Sequence, residues 1–168
     1  MMNKKIDLPA IIKLEDFDGD AILYINHLYS IFEKDFIISQ PILFEKKVTI
    51  GNQKIVDGKE LVFWHITSKG GKNHINRLPD LRRCERLHWI RFSIEHIHEI
   101  DGLLFWEQPS NRAGNFIIYL EKYDFVIILR KLNYVFILIT AYHVDYKNKR
   151  QKLLKDYQKY KAKLAPKQ

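Results

Sequence analysis

The chain has a single cysteine, Cys84, among its 168 residues. That excludes an intrachain disulfide framework and every zinc site built on several thiolates, and it suits a reducing compartment. Glycine (seven) and proline (five) are scarce, so collagen-like and low-complexity architectures are excluded and no linker divides the chain. Long apolar runs are missing too. The most apolar stretch, residues 125–144, is interrupted by Arg130, Lys131 and Asn133. Those groups are costly inside a membrane helix and tolerable in two strands joined by a turn. The first twenty residues hold only a short apolar stretch, quickly followed by acids, so no signal peptide is expected. There is also no Gly-rich phosphate loop ahead of a lysine, no HExxH and no GxSxG. The expectation is a cytoplasmic protein with no membrane partner.

What is present is a large apolar share. Hydrophobic residues make up 46%, with ten Phe and nine Tyr, enough for one domain over 1–168 to bury a core without covalent staples. The net charge of +8 is concentrated. Nine basic residues and the lone acid Asp156 follow residue 146 and account for the whole excess, leaving residues 1–146 neutral. Within that neutral body, residues 69–91 hold seven basic groups against Asp80 and Glu85. Two basic patches on a balanced body fit the steering of a polyanion, and they fit a solvated helix tail and a surface salt network equally.

Asp18 or Asp20 can cap a first helix whose stripe runs through Ile22, Ile25, Tyr29, Phe32 and Phe36, ending at Gln40-Pro41. A strand near 42–50 follows, then turns at Gly51-Asn52 and Asp57-Gly58, then a strand over 60–67 closed by Gly70-Gly71. Pro79 and Asp80 open a middle helix over 80–99. Its spacing puts Cys84, Leu87, Ile90, Ile94 and His98 inward, and Arg82, Arg86, Trp89, Ser93 and His96 outward. Strands follow at 103–108, 116–121, 125–131 and 134–145, with a turn at 109–111 and tight hairpin connectors later. The last strand is apolar on both faces, which marks a central or covered strand. A basic helix over 146–163 completes the chain, burying Leu153, Leu154, Tyr157 and Leu164. The predicted class is α+β: N-terminal, long middle and C-terminal helices around a four- to five-stranded antiparallel sheet.

Two polar clusters stand out. In the first, His65 and Thr67 share a face at the end of the 60–67 strand, Ser68 and Lys69 enter the loop, and His74 and Arg77 lie beyond. A histidine can carry a proton in either direction near neutral pH, and Lys69 or Arg77 can offset negative charge building on phosphorus. The plainer reading is a histidine bonded inside a sheet beside a solvated lysine. In the second cluster, Thr140 and Tyr142 share one face of the last strand, and His143 and Asp145 the other. Thr and Tyr are also ordinary strand formers. His96 and His98 diverge on a helix and do not share a metal. Neither metal nor cofactor is expected.

Metal-free RNA cleavage gives both clusters a purpose: a base activates the ribose 2′-hydroxyl, an acid protonates the leaving oxygen, and cations steady the phosphorus. Trp64, Trp89 or Tyr142 would stack bases.

The segments FWHITSKG at 63–70, PDLRRCERLHWIR at 79–91 and FILITAYHVD at 136–145 give the chain a layout that resembles the metal-independent ribonuclease superfamily of barnase, the EndoU nucleases, colicin nucleases and the RelE toxins. The branch it is most similar to is the one borne by phages and mobile elements. That resemblance implies His65 as general base, Lys69 or Arg77 as phosphate contact, Thr140 as an orienting hydroxyl and Tyr142 as a proton-donating or stacking group. His143 competes for Tyr142's role, and His74, His88 and His143 are each open as a second histidine. Arg77, Arg82, Arg86, Trp89 and His143 would hold the RNA, and a cognate inhibitor protein is an implied partner. The expected function is a toxin-like or phage-encoded endoribonuclease. The alternatives are a non-catalytic nucleic-acid binder and a protein–protein interaction module.

Overall fold

The computed structural model describes residues 4–70, 77–109 and 113–166. An extended N-terminal segment leads into helix α1 (Ala21–Phe32), whose first turn is capped by the Asp20 carboxylate accepting from the Ile22 and Leu23 amides. A π-helical turn, Glu33–Ile38, continues it. The buried stripe is Tyr24, Leu28, Phe32 and Phe36 at four-residue steps, one position round from the expected one. Ile22 is 74% exposed, while Ile25 and Tyr29 sit at the margin. Each fully buried side chain of this kind is worth about 1.5–3 kcal/mol.

The strand expected over 42–50 is a hairpin, β1 (Ile42–Leu43) and β2 (Lys46–Thr49), turned by Phe44 and Glu45 at φ 48° and 67°. A second small hairpin, β3 (Ile55–Val56) and β4 (Lys59–Glu60), turns at Asp57-Gly58, both with positive φ. Such two-residue turns need φ above zero at both positions. Asp-Gly advertises this and Phe-Glu does not.

Residues 61–67 are not a strand. They form helix α2 (Leu61–Thr67), which buries Val62, Phe63, Ile66 and Thr67 on one side. Its first amides are satisfied from a distance: Leu61 donates to the Lys54 carbonyl at 2.9 Å and Val62 to the Gln53 side-chain oxygen at 2.9 Å. The Trp64 indole donates to Val56 at 2.8 Å. These tertiary anchors override the strand preference of a Val, Phe, Trp, Ile and Thr run. A short ribbon follows, β5 (Ser68–Lys69) against β6 (Leu78–Pro79). The second half of the expected Gly70-Gly71 closure, and His74, lie outside the described residues.

The expected long helix over 80–99 is two short ones, α3 (Leu81–Cys84) and α4 (Trp89–Glu95), with Asp80 capping the first. Cys84, Leu87, Ile90 and Ile94 are buried as the spacing predicted. Trp89 and Ser93 are buried too, and His98 is exposed. The N-terminal segment lies along these helices and explains the burial of Trp89. Trp89 donates to the Pro9 carbonyl at 2.8 Å, Ile12 to the Glu85 carbonyl at 3.0 Å, and His88 Nε2 bonds the Ala10 carbonyl at 2.8 Å.

Strands β7 (Leu103–Gln108), β8 (Asn115–Leu120), β9 (Phe125–Lys131) and β10 (Val135–His143) form the expected antiparallel meander. The turn expected at 109–111 lies largely outside the described residues. The sheet is larger than predicted and mixed: six strands in the order β1-β2-β10-β9-β8-β7, with β2 parallel to β10. Helix α5 (Lys147–Leu164) covers the far face, so the architecture is α+β with helices on both sides of the sheet. Under α5 lie Trp106, Ile117, Tyr119, Val126 and Val144, met by Leu153, Leu154, Tyr157 and Tyr160; Leu164 is 65% exposed and lies outside this core. The Asp124 carboxylate accepts from both Tyr119 and Arg150 and fixes the start of the helix. No helix of the described residues is long and apolar enough to cross a membrane.

Candidate nucleic-acid interface

β2 pairs only with residues 135–137 of β10, so the far half of β10 is flanked by α2 and α3 instead. A register shift between Leu138 and Thr140 marks a bulge at this point. It changes which residues face which core: Phe136 and Leu138 before it, but Ala141 after it, meet the α1 side. Tyr142 and Val144 turn to α5. Both polar clusters foreseen in the sequence meet at this bulged end, in a different arrangement.

His65 contributes its backbone here. Its carbonyl, in the last turn of α2, accepts from Arg83 Nη1 at 2.7 Å, and the Thr140 hydroxyl lies 3.5 Å from it. His65 also lines a separate cavity with Gln53, Arg130 and Ile137. Lys69 opens onto another cleft, so His65 and Lys69 do not share a concave face.

That other cleft, about 560 Å³, is lined by Lys69, Asp80, Leu81, Arg82, Asp145 and Tyr146, with Pro79 at its edge. Asp80 organises one wall. One oxygen caps α3 by accepting from the Arg82 and Arg83 amides, and the other lies 3.4 Å from Arg83 Nε and 3.8 Å from Lys69 Nζ. A His–Asp–Arg group adjoins the cleft, with Arg82 and Asp145 in its lining and His143 behind Asp145. Asp145 Oδ1 is 2.9 Å from His143 Nδ1 and 3.2 Å from Arg82 Nη1, which is itself 3.3 Å from His143 Nδ1. Arginine only donates and a carboxylate only accepts. The consistent pattern is therefore His143 Nδ1–H and Arg82 both donating to Asp145, which leaves the lone pair of a neutral His143 on Nε2. The hydrogen bond from His143 holds the Asp145 carboxyl below the usual carboxylate range, against desolvation and with help from Lys69 and Arg82.

Tyr146 is the exposed aromatic of the cleft, 74% accessible at the cap of α5. Tyr142 is spoken for. Arg83 lies 5.7 Å and Lys149 Nζ 4.0 Å from its ring centre, and burial pushes its phenol pKa up, against the Arg83 charge. Arg77 is also engaged: it bonds the Ser68 hydroxyl, the Ser68 carbonyl and the Gly70 carbonyl at 2.9, 2.6 and 3.3 Å, clasping the β5–β6 ribbon. Burial and the nearby Arg83 lower its pKa.

Trp89 and Arg86 leave the interface altogether. The Trp89 ring is 4% exposed, and Arg86 packs over it at 5.3 Å while bonding the Arg82 carbonyl and Glu85. A base has no access to that ring. His88 is tied to Ala10 and its pKa is lowered by burial, so it belongs to the packing of the N-terminal segment.

The sequence pointed to Asp80 as the start of a helix, as found, but not to its pairing with Arg83 and Lys69, nor to Tyr146, Lys149 or Arg83. The available signal for Tyr146 was its position as the last aromatic before a lysine-rich helix. Among the described residues no group of three or more His, Cys, Asp or Glu could hold a metal ion. Comparison with protein-family models, with curated proteins and with solved structures finds no match.

Proposed function

We propose that this chain binds single-stranded RNA through the cleft between α3 and the start of α5. The observation that carries the reading is one exposed aromatic, Tyr146, set beside two exposed cations, Lys69 and Arg82, whose side chains are 58% and 61% accessible. Stacked bases need a free π-face and phosphates need cations within reach of solvent, and binding of single strands combines the two. In the lining of the cleft Lys69 and Arg82 balance Asp80 and Asp145, and Arg83 and Lys149, packed at the neighbouring Tyr142 ring, tip the local field toward a polyanion. The lysines of α5 extend that field away from Tyr146. A cytoplasmic location, where RNA is abundant, belongs to this reading.

A second reading, metal-independent cleavage of the bound RNA, rests on the His143–Asp145 pair. A histidine whose Nδ1–H is held by a carboxylate offers Nε2 as a base, and Arg82 stands next to it to offset charge at phosphorus. In this reading His143 replaces His65, whose carbonyl rather than ring joins the cluster, and Lys69 keeps its role as phosphate contact. A toxin-like or phage-borne role with a cognate inhibitor protein belongs to this reading alone.

Mixed cellular RNA incubated with the protein in EDTA separates the two. Cleavage by the parent protein that is lost in His143→Gln and kept in His65→Ala supports the second reading. Intact RNA that is nonetheless retained by the protein leaves binding as the function. Failure to retain RNA at low salt overturns both.

A further inference from the structure

At the other end of α5 a separate cavity of about 290 Å³ lies between the last two turns of the helix and the end of β7. Its wall includes Trp106, Gln108, Lys159, Tyr160, Lys163 and Leu164. Residues 156, 160 and 163 fall on one stripe of the helix, three to four residues apart. Trp106 is 1% exposed, and its indole Nε1 has no hydrogen-bond partner among the described residues. Buried indole N–H groups normally find an acceptor. The other two tryptophans do, Trp64 at Val56 and Trp89 at Pro9.

The charged groups of the wall divide in the same sense. Glu107 is paired with Lys131 at 2.6 Å and Asp156 with Lys152 at 2.8 Å. Lys159 and Lys163 are exposed, and no carboxylate among the described residues pairs with either. The cavity is therefore bordered by a tryptophan whose buried donor has no acceptor among the described residues and by two cations without anions, with apolar surface from Trp106, Tyr160 and Leu164. Each of these is missing the same kind of partner.

We infer that this cavity is a binding site for a small aromatic anion: a flat apolar ring that packs against Trp106 and Tyr160, with an acidic substituent reaching Lys159 and Lys163 and an acceptor for the indole N–H. Its size is at the low end for small-molecule sites, which favours a ligand of one or two rings. The site is independent of the RNA cleft, which lies at the opposite end of an 18-residue helix, about 27 Å away at the usual helical rise.

The test is a titration of uniformly ¹⁵N-labelled protein with naphthalene-2-sulfonate, and separately with neutral naphthalene-2-methanol, followed through the three indole N–H signals. The expected result is a saturable shift of the Trp106 signal alone, with the sulfonate at least tenfold tighter than the alcohol. In Lys159→Gln/Lys163→Gln that tenfold preference disappears. Trp106→Phe, which keeps an apolar ring, weakens the sulfonate severalfold. The Trp64 and Trp89 signals report whether each variant is folded. No shift at Trp106, equal binding of the two compounds, or an unchanged preference in the double lysine variant overturns the assignment. None of these outcomes depends on whether the protein binds RNA.

Discussion

Asp35 shows how a single buried group sets a response to pH. It is 8% exposed on the inner side of the π-helical turn, and desolvation raises its carboxyl to about 6, against the charges of Arg91 and Lys34 and with a push from Glu95. A carboxyl whose folded pKa lies above its unfolded value binds more protons in the native state, so its contribution is full below the unfolded pKa and is lost as pH rises through the folded one. The predicted change is a loss of about 3 kcal/mol between pH 4 and pH 7 from this group. Urea unfolding across that range should show Asp35→Asn lacking this part of the pH dependence. An identical pH profile for parent and variant would refute the assignment. At the same scale, Trp89 and Tyr142 show why aromatic residues resist functional reading from sequence. Both were natural stacking platforms by type, and both are used inside the molecule, while Tyr146 is the one left open in the cleft.

At the scale of elements, legibility followed the range of the contacts that decide each one. The meander from β7 to β10 was readable because its strands pair with sequence neighbours through short turns. Helix α1 was readable through its cap, but the choice between neighbouring stripes was not, because Ile22 and Leu23 are as apolar as Leu28. The burial difference predicts that Leu28→Ala costs about 2–5 kcal/mol, whereas Ile22→Ala stays within about 0.5 kcal/mol. Denaturant midpoints check the contrast, and similar losses at both positions would contradict the packing. Helix α2 was misread as a strand because the groups that satisfy its first amides, Gln53 and Lys54, come from another loop. Removing the cap by Gln53→Ala should therefore lower stability by about 1 kcal/mol, with the loss of amide protection in hydrogen exchange centred on 61–64. Protection equal to the parent's would leave the cap without a role. The β2–β10 pairing was illegible for a related reason: a parallel contact between residues 47–49 and 135–137 leaves no local pattern.

For the whole molecule, the distribution of charge matters more than its total. All but one charge of the excess resides in α5, which carries its lysines on the outside of a helix whose inner side closes the second core. The two ends of this helix then carry the two proposed sites, the RNA cleft at Tyr146 and the aromatic-anion cavity at Lys163. The sequence singled out Lys69, Arg82 and His143, of which Lys69 and Arg82 line one cleft and Arg82 touches His143. The candidate site was not legible as geometry, since the bulge at 138–140 and the helical form of 61–67 decide which polar groups face one another.

The central claim is that the cleft binds RNA through Lys69, Arg82 and Tyr146, and fluorescence anisotropy with a labelled single-stranded RNA over a series of salt concentrations tests it most directly. Losing one stacked base and two phosphate contacts predicts that Lys69→Gln/Arg82→Gln/Tyr146→Ala binds roughly 100-fold more weakly at low salt, with a log–log salt slope shallower by about 1.4. The parent's affinity and slope retained in that variant would contradict the account.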